Sequence, residues 1–188
     1  MTEEIKTMKL YHQVGRVFNE LQALGIKPED PVDVETLCAF DQYHYLGTDA
    51  VDEAIEKLAI QPSMEVLEVG GGIGGPSRYL AHASGCHMTA LELQTDLNFT
   101  AQQLTDRCGL TKRVDHVSGD FLENPLGEKT FDALVSWLTF LHIPDRKKLY
   151  RNCFSALKPG AAIITTLTPI GWGRHQFNHH MMYNLMSV

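Results

Sequence analysis

The four cysteines, Cys38, Cys86, Cys108 and Cys153, include no two within ten residues of each other. That spacing excludes a CxxC redox pair and the paired thiolates of a zinc site. The opening stretch MTEEIKTMK is charged and has no apolar run behind it, so it does not read as a secretory signal. Unpaired cysteines without a leader predict reduced thiols and a cytoplasmic protein. No apolar run approaches the roughly 20 residues that span a bilayer. Basic residues are in deficit, 16 Lys and Arg against 23 Asp and Glu, for a net charge of −7. A surplus of that sign argues against a nucleic-acid backbone or an anionic membrane surface as partner. No internal repeat or low-complexity segment is present. Histidine is plentiful, and three of the nine (His175, His179, His180) fall in the last 14 residues. No carboxylate or cysteine lies in that tail to complete a metal site, so no metal is expected.

What remains is an ordinary globular composition, 44% hydrophobic and 21% charged over 188 residues, about one domain. Apolar residues at Ile5, Met8, Leu10, Tyr11, Val14, Val17, Phe18, Leu21 and Leu24 recur every three to four positions and predict an amphipathic helix stopped by Gly25. A proline-bearing connector over Lys27–Val32 precedes a short helix from about Val34 to Phe40. A further helix, capped by Thr48 or Asp49, runs through about Ala59. The pattern then changes. Short apolar, β-branched runs at Glu65–Val69, His87–Leu91, Val114–Val117, Phe131–Trp137 and Ala161–Leu167 alternate with helical stretches at Pro76–His82, Asp96–Cys108 and Asp145–Leu157. Parallel strands require helical crossovers, so the expected fold is α/β, a doubly wound, Rossmann-like, mostly parallel sheet behind an N-terminal helical lid. The boundaries are 1–63 for the lid, 64–167 for the core and 168–188 for an atypical tail.

The first strand runs directly into Gly70-Gly71-Gly72-Ile73-Gly74-Gly75, with Pro76 opening the next helix. Such a turn lets a ligand approach the backbone and presents free amide N–H groups. Gly70, Gly72 and Gly75 satisfy the dinucleotide pattern GxGxxG, and Glu92, 22 residues after Gly70, matches its ribose-binding acid. Glu68, two residues before the first glycine, separates the two readings. A carboxylate gains nothing beside a pyrophosphate, whereas it favours a ligand carrying an ammonium and a sulfonium. Asp120, just past the third strand, adds an acid at the same carboxyl edge, where open α/β sheets bind ligands.

Together, Glu68–Gly74 as ExGxGxG, Glu92 at the end of the second strand and Gly119-Asp120 resemble motifs of the class I S-adenosylmethionine (SAM)-dependent methyltransferases. The resemblance covers about Met64 to Leu167. It implies SAM as cofactor and S-adenosylhomocysteine as product. In that arrangement Glu68 orders the methionine amine, while Gly70, Gly72 and Gly74 line the methionine and ribose. Glu92 takes the ribose hydroxyls with Leu93 beside it, Asp120 accepts from the adenine amino group, Phe121 lies against the ring, and Trp137 is expected among the cofactor-binding residues as well.

FDQYHYLGTDAVDEA further resembles a segment of the sarcosine/dimethylglycine N-methyltransferases, as do GGGIGGPSRYLAHASGC, LTDRCGL and LHIPDR. In the similar phosphoethanolamine methyltransferases a histidine at the equivalent of LHI partners an N-terminal tyrosine. His142 matches that histidine, and Tyr43 and Tyr45 are both candidates for the tyrosine. Such a pair can hold or deprotonate an amine, and Tyr43, Tyr45 and Trp137 offer π faces to a developing quaternary ammonium. The expected function is methyl transfer to a small-molecule amine of glycine-derivative or ethanolamine type. Alternatives are C- or O-methylation of a quinol or phenol, a truncated cofactor-binding form without activity, and an NAD-dependent oxidoreductase.

Length sets one further expectation. Five strand–helix units end near Leu167 and leave 21 residues, whereas another crossover and the closing antiparallel hairpin of a seven-stranded methyltransferase sheet need roughly 30 or more. The chain is therefore expected to be a fragment, a truncation or a splice variant of a longer protein. If the tail does not pair, the fifth strand is an exposed edge open to self-association.

Overall fold

The computed structural model describes residues 13–124, 126–166 and 183–187. The first half of the expected N-terminal helix and most of the tail, including His175, His179 and His180, lie outside them. Three helices come first: α1 (Arg16–Ala23), α2 (Val34–Asp41) and α3 (Thr48–Lys57). Gly25, at φ +79°, ends the first in a left-handed turn. The Asp33 carboxylate caps α2 by accepting from the Thr36 N–H at 2.7 Å. The expected cap on α3 is not made by Thr48 or Asp49. Gly47, at φ +52°, starts that helix without a side-chain cap, because the chain arrives through a left-handed residue.

The core alternates β1 (Glu65–Val69), α4 (Gly75–Ser84), β2 (His87–Glu92), α5 (Thr95–Arg107), β3 (Val114–Ser118), β4 (Phe131–Trp137), a 3₁₀ turn (Phe140–His142), α6 (Arg146–Ala156) and β5 (Leu157–Thr166). The fifth strand starts at Leu157 rather than Ala161. Leu157 pairs with Phe131, the register slips across the exposed Pro159-Gly160, and regular pairing resumes at Ala162 opposite Ala133. The same turn chemistry that reads as a break therefore forms an irregularity inside one strand.

Among the described residues the sheet has six strands in the order β3-β2-β1-β4-β5-β6. The first five are parallel. The sixth, β6 (Tyr183–Ser187), runs antiparallel to β5, with Thr166 opposite Tyr183 and Ala162 opposite Ser187. This corrects the expectation of five strands with β5 as an open edge. The backbone groups of Ala162–Thr166 already have a partner, which removes the stated basis for self-association through that strand.

Val66, Ala133, Val135 and Ile164 share one apolar cluster with α3 and α4. Leu67, Leu134 and Ile163 share another with Leu149, Cys153 and Ala156 of α6. Burial on both faces is what a parallel sheet requires of its strands. A third cluster joins Val17, Leu21 and Leu37 of the N-terminal helices to Ile73 of the glycine loop and Leu97 and Leu104 of α5. The N-terminal helices thus pack directly on the loop they were expected to cover.

Candidate cofactor and acceptor site

The strand order reverses between β1 and β4, the switch point where open α/β sheets bind ligands outside the carboxyl ends of their strands. One cavity opens there, lined by the ends of β1, β2 and β4, the segment after β3, and residues following α2. It gathers Tyr43, Glu68, Gly70, Gly72, Glu92, Leu93, Asp120, Phe121, Trp137 and His142. Two expected residues are elsewhere. Gly74 faces away: a Cβ there would meet His116 and Arg78, so it is glycine for packing and for its left-handed φ of +79°. Tyr45 is 44% exposed and does not line the cavity.

Glu68 is 1% exposed. Its Oε2 accepts from the Ser77 hydroxyl of α4, and its Oε1 has no hydrogen-bond partner in the folded chain. Burial pushes its carboxyl up to about 8, against the Ser77 hydrogen bond, and the Glu92 charge adds to the rise. A buried acceptor left open in a cavity wall calls for a donor from a ligand, and a cationic one restores the charged form. Trp137, 6% exposed, leaves its indole N–H without a partner in the same lining. The Glu92 carboxylate bridges two loops, accepting from Gly72 N–H at 2.9 Å and Gln94 N–H at 2.8 Å. Burial raises its pKa while those backbone donors oppose the rise. Asp120 holds the segment after β3, accepting from Leu122 N–H at 2.9 Å.

The glycines have separable reasons. A Cβ on Gly70 would collide with the Thr139 side chain and would sit at φ +84°. A Cβ on Gly71 would come within 2.9 Å of Ala90 on β2. Gly72, φ +54°, has open space around the missing Cβ and lets the backbone stand at the cavity wall.

At the other end, His142 ends the 3₁₀ turn after β4, its N–H donating to Thr139 O at 2.9 Å. Partial burial lowers its pKa, which favours the neutral imidazole over the imidazolium. Leu138, in the same lining, has φ +58°, a conformation that non-glycine residues adopt at a cost of about 1–3 kcal/mol.

Asp41 and His44, part of the FDQYHYLGTDAVDEA segment read as a candidate acceptor region but given no role of their own there, complete this wall. Asp41, at the end of α2, pairs with Arg78 of α4 at 2.9 Å, and both side chains are buried. Arg78 also donates to Ile73 O at 2.7 Å, Ala101 O at 3.1 Å and Thr105 Oγ1 at 3.2 Å. It therefore joins the glycine loop, α5 and the N-terminal helices. His44 stacks on Trp137, ring centroids 4.9 Å apart at 22°, so one face of the indole is already covered. The Asp41–Arg78 pair spans 37 positions of sequence, which no local spacing signals.

Burial pushes the Cys38 and Cys153 thiols up to about 12 and Cys108 up to about 11, leaving no reactive thiolate there. Among the described residues no cluster of His, Cys, Asp and Glu could hold a metal, and no helix is long and apolar enough to cross a membrane.

A methyltransferase domain model matches residues 66–160, just over half of the chain. A glycine/sarcosine/dimethylglycine N-methyltransferase from Actinopolyspora halophila is 34% identical over 110 residues, which is 58% of this chain and 20% of that protein. A sterol methyltransferase-like 2 protein from Botryococcus braunii is 38% identical over 102 residues, 54% of this chain and 26% of that protein. The crystal structure of Haemonchus contortus phosphoethanolamine N-methyltransferase 2 in complex with SAM superposes with a TM-score of 0.62 at 25% identity, covering 70% of this chain and 30% of that one. The chain spans only a fifth to about a quarter of the two curated relatives named here. With the switch-point cavity, its acid at the end of β1 and the glycine loop behind it, the matched residues show that this chain belongs to the methyltransferase domain family.

Proposed function

We propose that the cavity binds SAM and that the chain serves methyl transfer to a small molecule, most favourably to an amine nitrogen. The observation that carries this reading is the open Oε1 of Glu68, a buried acceptor beside a glycine loop with no hydrogen-bond partner in the folded chain. The residues present fit that cofactor. Glu68 would receive its ammonium, the Glu92 carboxylate its ribose hydroxyls, and Asp120 with Phe121 its adenine. On the acceptor side, the unpartnered Trp137 N–H offers a donor to an oxygen of the acceptor. When bound, SAM supplies an electrophilic methyl on a sulfonium.

The chain's own part is alignment and proton handling. His142, favoured as the neutral imidazole, would orient the acceptor amine and take the proton it sheds. Tyr43 lines the same cavity and Tyr45 does not, which favours Tyr43 as the partner of His142. Glu92 and Asp120 line the cavity and no Lys or Arg is among the described residues that line it, a field that suits an amine better than an anionic acceptor.

A second reading, C- or O-methylation of an apolar acceptor, draws on Leu93, which lines the cavity while 40% exposed, and on Leu138 and Ile143 in the same wall. An acceptor screen by mass spectrometry, with amines, phospho-bases, phenols, quinols and sterols offered in parallel, separates the two. Methylated amine products support the first reading, and products confined to the apolar acceptors replace it with the second. His142→Ala should lower turnover with cofactor affinity nearly intact. If affinity falls equally, His142 belongs to the cofactor side.

A further inference from the structure

His44 is held through both ring nitrogens and one ring face. Its Nε2 lies 3.0 Å from Gln42 Oε1 and its Nδ1 lies 3.0 Å from the Tyr45 carbonyl. The amide of Gln42 is oriented in turn, because its Nε2 donates to Asp41 Oδ1 at 2.9 Å. The other oxygen of Asp41 accepts from the buried Arg78 guanidinium, which stabilises the charged form that burial disfavours. A carboxylate only accepts, so Gln42 must present its NH₂ to Asp41 and its oxygen to His44. Both ring nitrogens of His44 therefore face acceptors, and the ring plane is fixed from both sides before it meets the Trp137 indole at 4.9 Å.

We propose that His44 is a positioning residue of the acceptor side: gripped through both ring nitrogens and stacked on Trp137, it sets the orientation of the indole that walls the cavity. The chain of contacts runs from Arg78 through Asp41 and Gln42 to His44, so the guanidinium that holds the glycine loop at Ile73 also holds the acceptor wall. A neutral imidazole carries one N–H and satisfies one of the two acceptors. The imidazolium satisfies both and adds a cation–π term to the stack. The grip on Trp137 therefore tightens as the ring gains a proton. Burial draws His44 below its ordinary value and the Tyr45 carbonyl opposes that, so the tightening occurs on the acid side of neutrality. The other titratable or charged groups around the ring are Asp41 with Arg78 behind it, Tyr43 and Tyr45 on its own loop, and Glu68 and His142 across the cavity.

The assignment to the acceptor side rests on the methyl-transfer reading, while the grip on Trp137 is independent of it. The test has two arms to match. Replacing Trp172 by Phe leaves Trp137 as the sole tryptophan, and an imidazolium in contact with an indole quenches its emission more than the neutral ring does. Emission should fall with acidification below pH 6.5. The change should vanish in His44→Asn and His44→Phe and survive in His142→Gln. A titration that persists in the His44 variants, or that never occurs, overturns the grip.

In the kinetic arm, His44→Asn should raise the acceptor KM by roughly two- to tenfold, the range of one aromatic pair, with SAM Kd unchanged. His44→Phe keeps the stack without the hydrogen bonds and should recover part of that loss. An equal loss of SAM affinity in both variants overturns the acceptor-side assignment. A folded protein that binds no SAM overturns the functional reading and leaves the emission arm to decide the grip.

Discussion

Three acids at the cofactor end of the cavity stand at or just past the carboxyl ends of β1, β2 and β3, each fixed by neighbours close at hand. Glu92 is held by backbone N–H groups of two adjoining loops, and Asp120 by the N–H two residues on. The acceptor end is assembled differently. Its wall joins Tyr43 and His44 from beyond α2 to Trp137 and His142 from the end of β4, nearly a hundred positions later. One end inherits its geometry from the sheet. The other depends on contacts between distant segments, routed through the buried Asp41–Arg78 pair. A site of this kind can keep its cofactor half constant while the acceptor half varies, since only the latter relies on segments the sheet does not place.

The sharpest way to break that contrast is Arg78→Met, which leaves Asp41 as a buried, unpaired charge. It should lower stability by about 3–5 kcal/mol, read by denaturant unfolding. Adding Asp41→Leu should recover most of the loss, because removing both charges leaves neither uncompensated. A double variant no better than the single would show that the pair itself is not what joins the two ends.

Glu92→Ala comes next. It removes a charged acceptor from the cofactor end alone, and SAM affinity should fall roughly ten- to hundredfold, the range of hydrogen bonds to a charged group. Gly70→Ala places a side chain against Thr139 at a left-handed φ. A stability loss of about 1–3 kcal/mol is expected from strain of that kind, and Thr139→Gly in the same chain should relieve the collision but not the backbone cost. The smallest effect sharpens the acceptor end. Tyr43→Phe should reduce turnover, while Tyr45→Phe, altering an exposed side chain outside the cavity, should leave it nearly unchanged.

How much of this was legible in the sequence follows the same division. Strands such as EVLEV, buried from Val66 to Val69, declare themselves through β-branched runs between glycine turns. Strand-end acids are legible because alternation of strand and helix brings successive strand ends to one edge. Gly74 was read with its neighbours as part of the ligand cradle, yet its contact is with Arg78 and His116 behind the loop, since a glycine pattern does not say which side is crowded. Strand β6 gave no local sign, because a five-residue edge strand needs only a partner, and Ala162–Thr166 supply one. His44, Gln42 and Arg78 were missed as a unit because their roles exist only once α2 is packed on α4. Tyr43 and Tyr45 could not be told apart by spacing, and the fold lines the cavity with the first and leaves the second exposed.

The central claim is that the buried acid at the end of β1 waits for a cation. In the folded chain the Glu68 carboxyl is pushed up to about 8 from 4.5. Between those values the folded chain holds a proton that the unfolded chain has released, so Glu68 costs progressively more stability as pH rises from about 4.5 toward about 8. A bound ammonium restores the carboxylate, so cofactor binding near pH 7 must expel that proton. Titration calorimetry with SAM at pH 7, in buffers of different ionisation enthalpy, measures this directly. The account predicts binding with net proton release that disappears in Glu68→Gln, together with a more stable unliganded Glu68→Gln protein at pH 8. A folded protein that binds no SAM, or binding with the same proton release in Glu68→Gln, would contradict it.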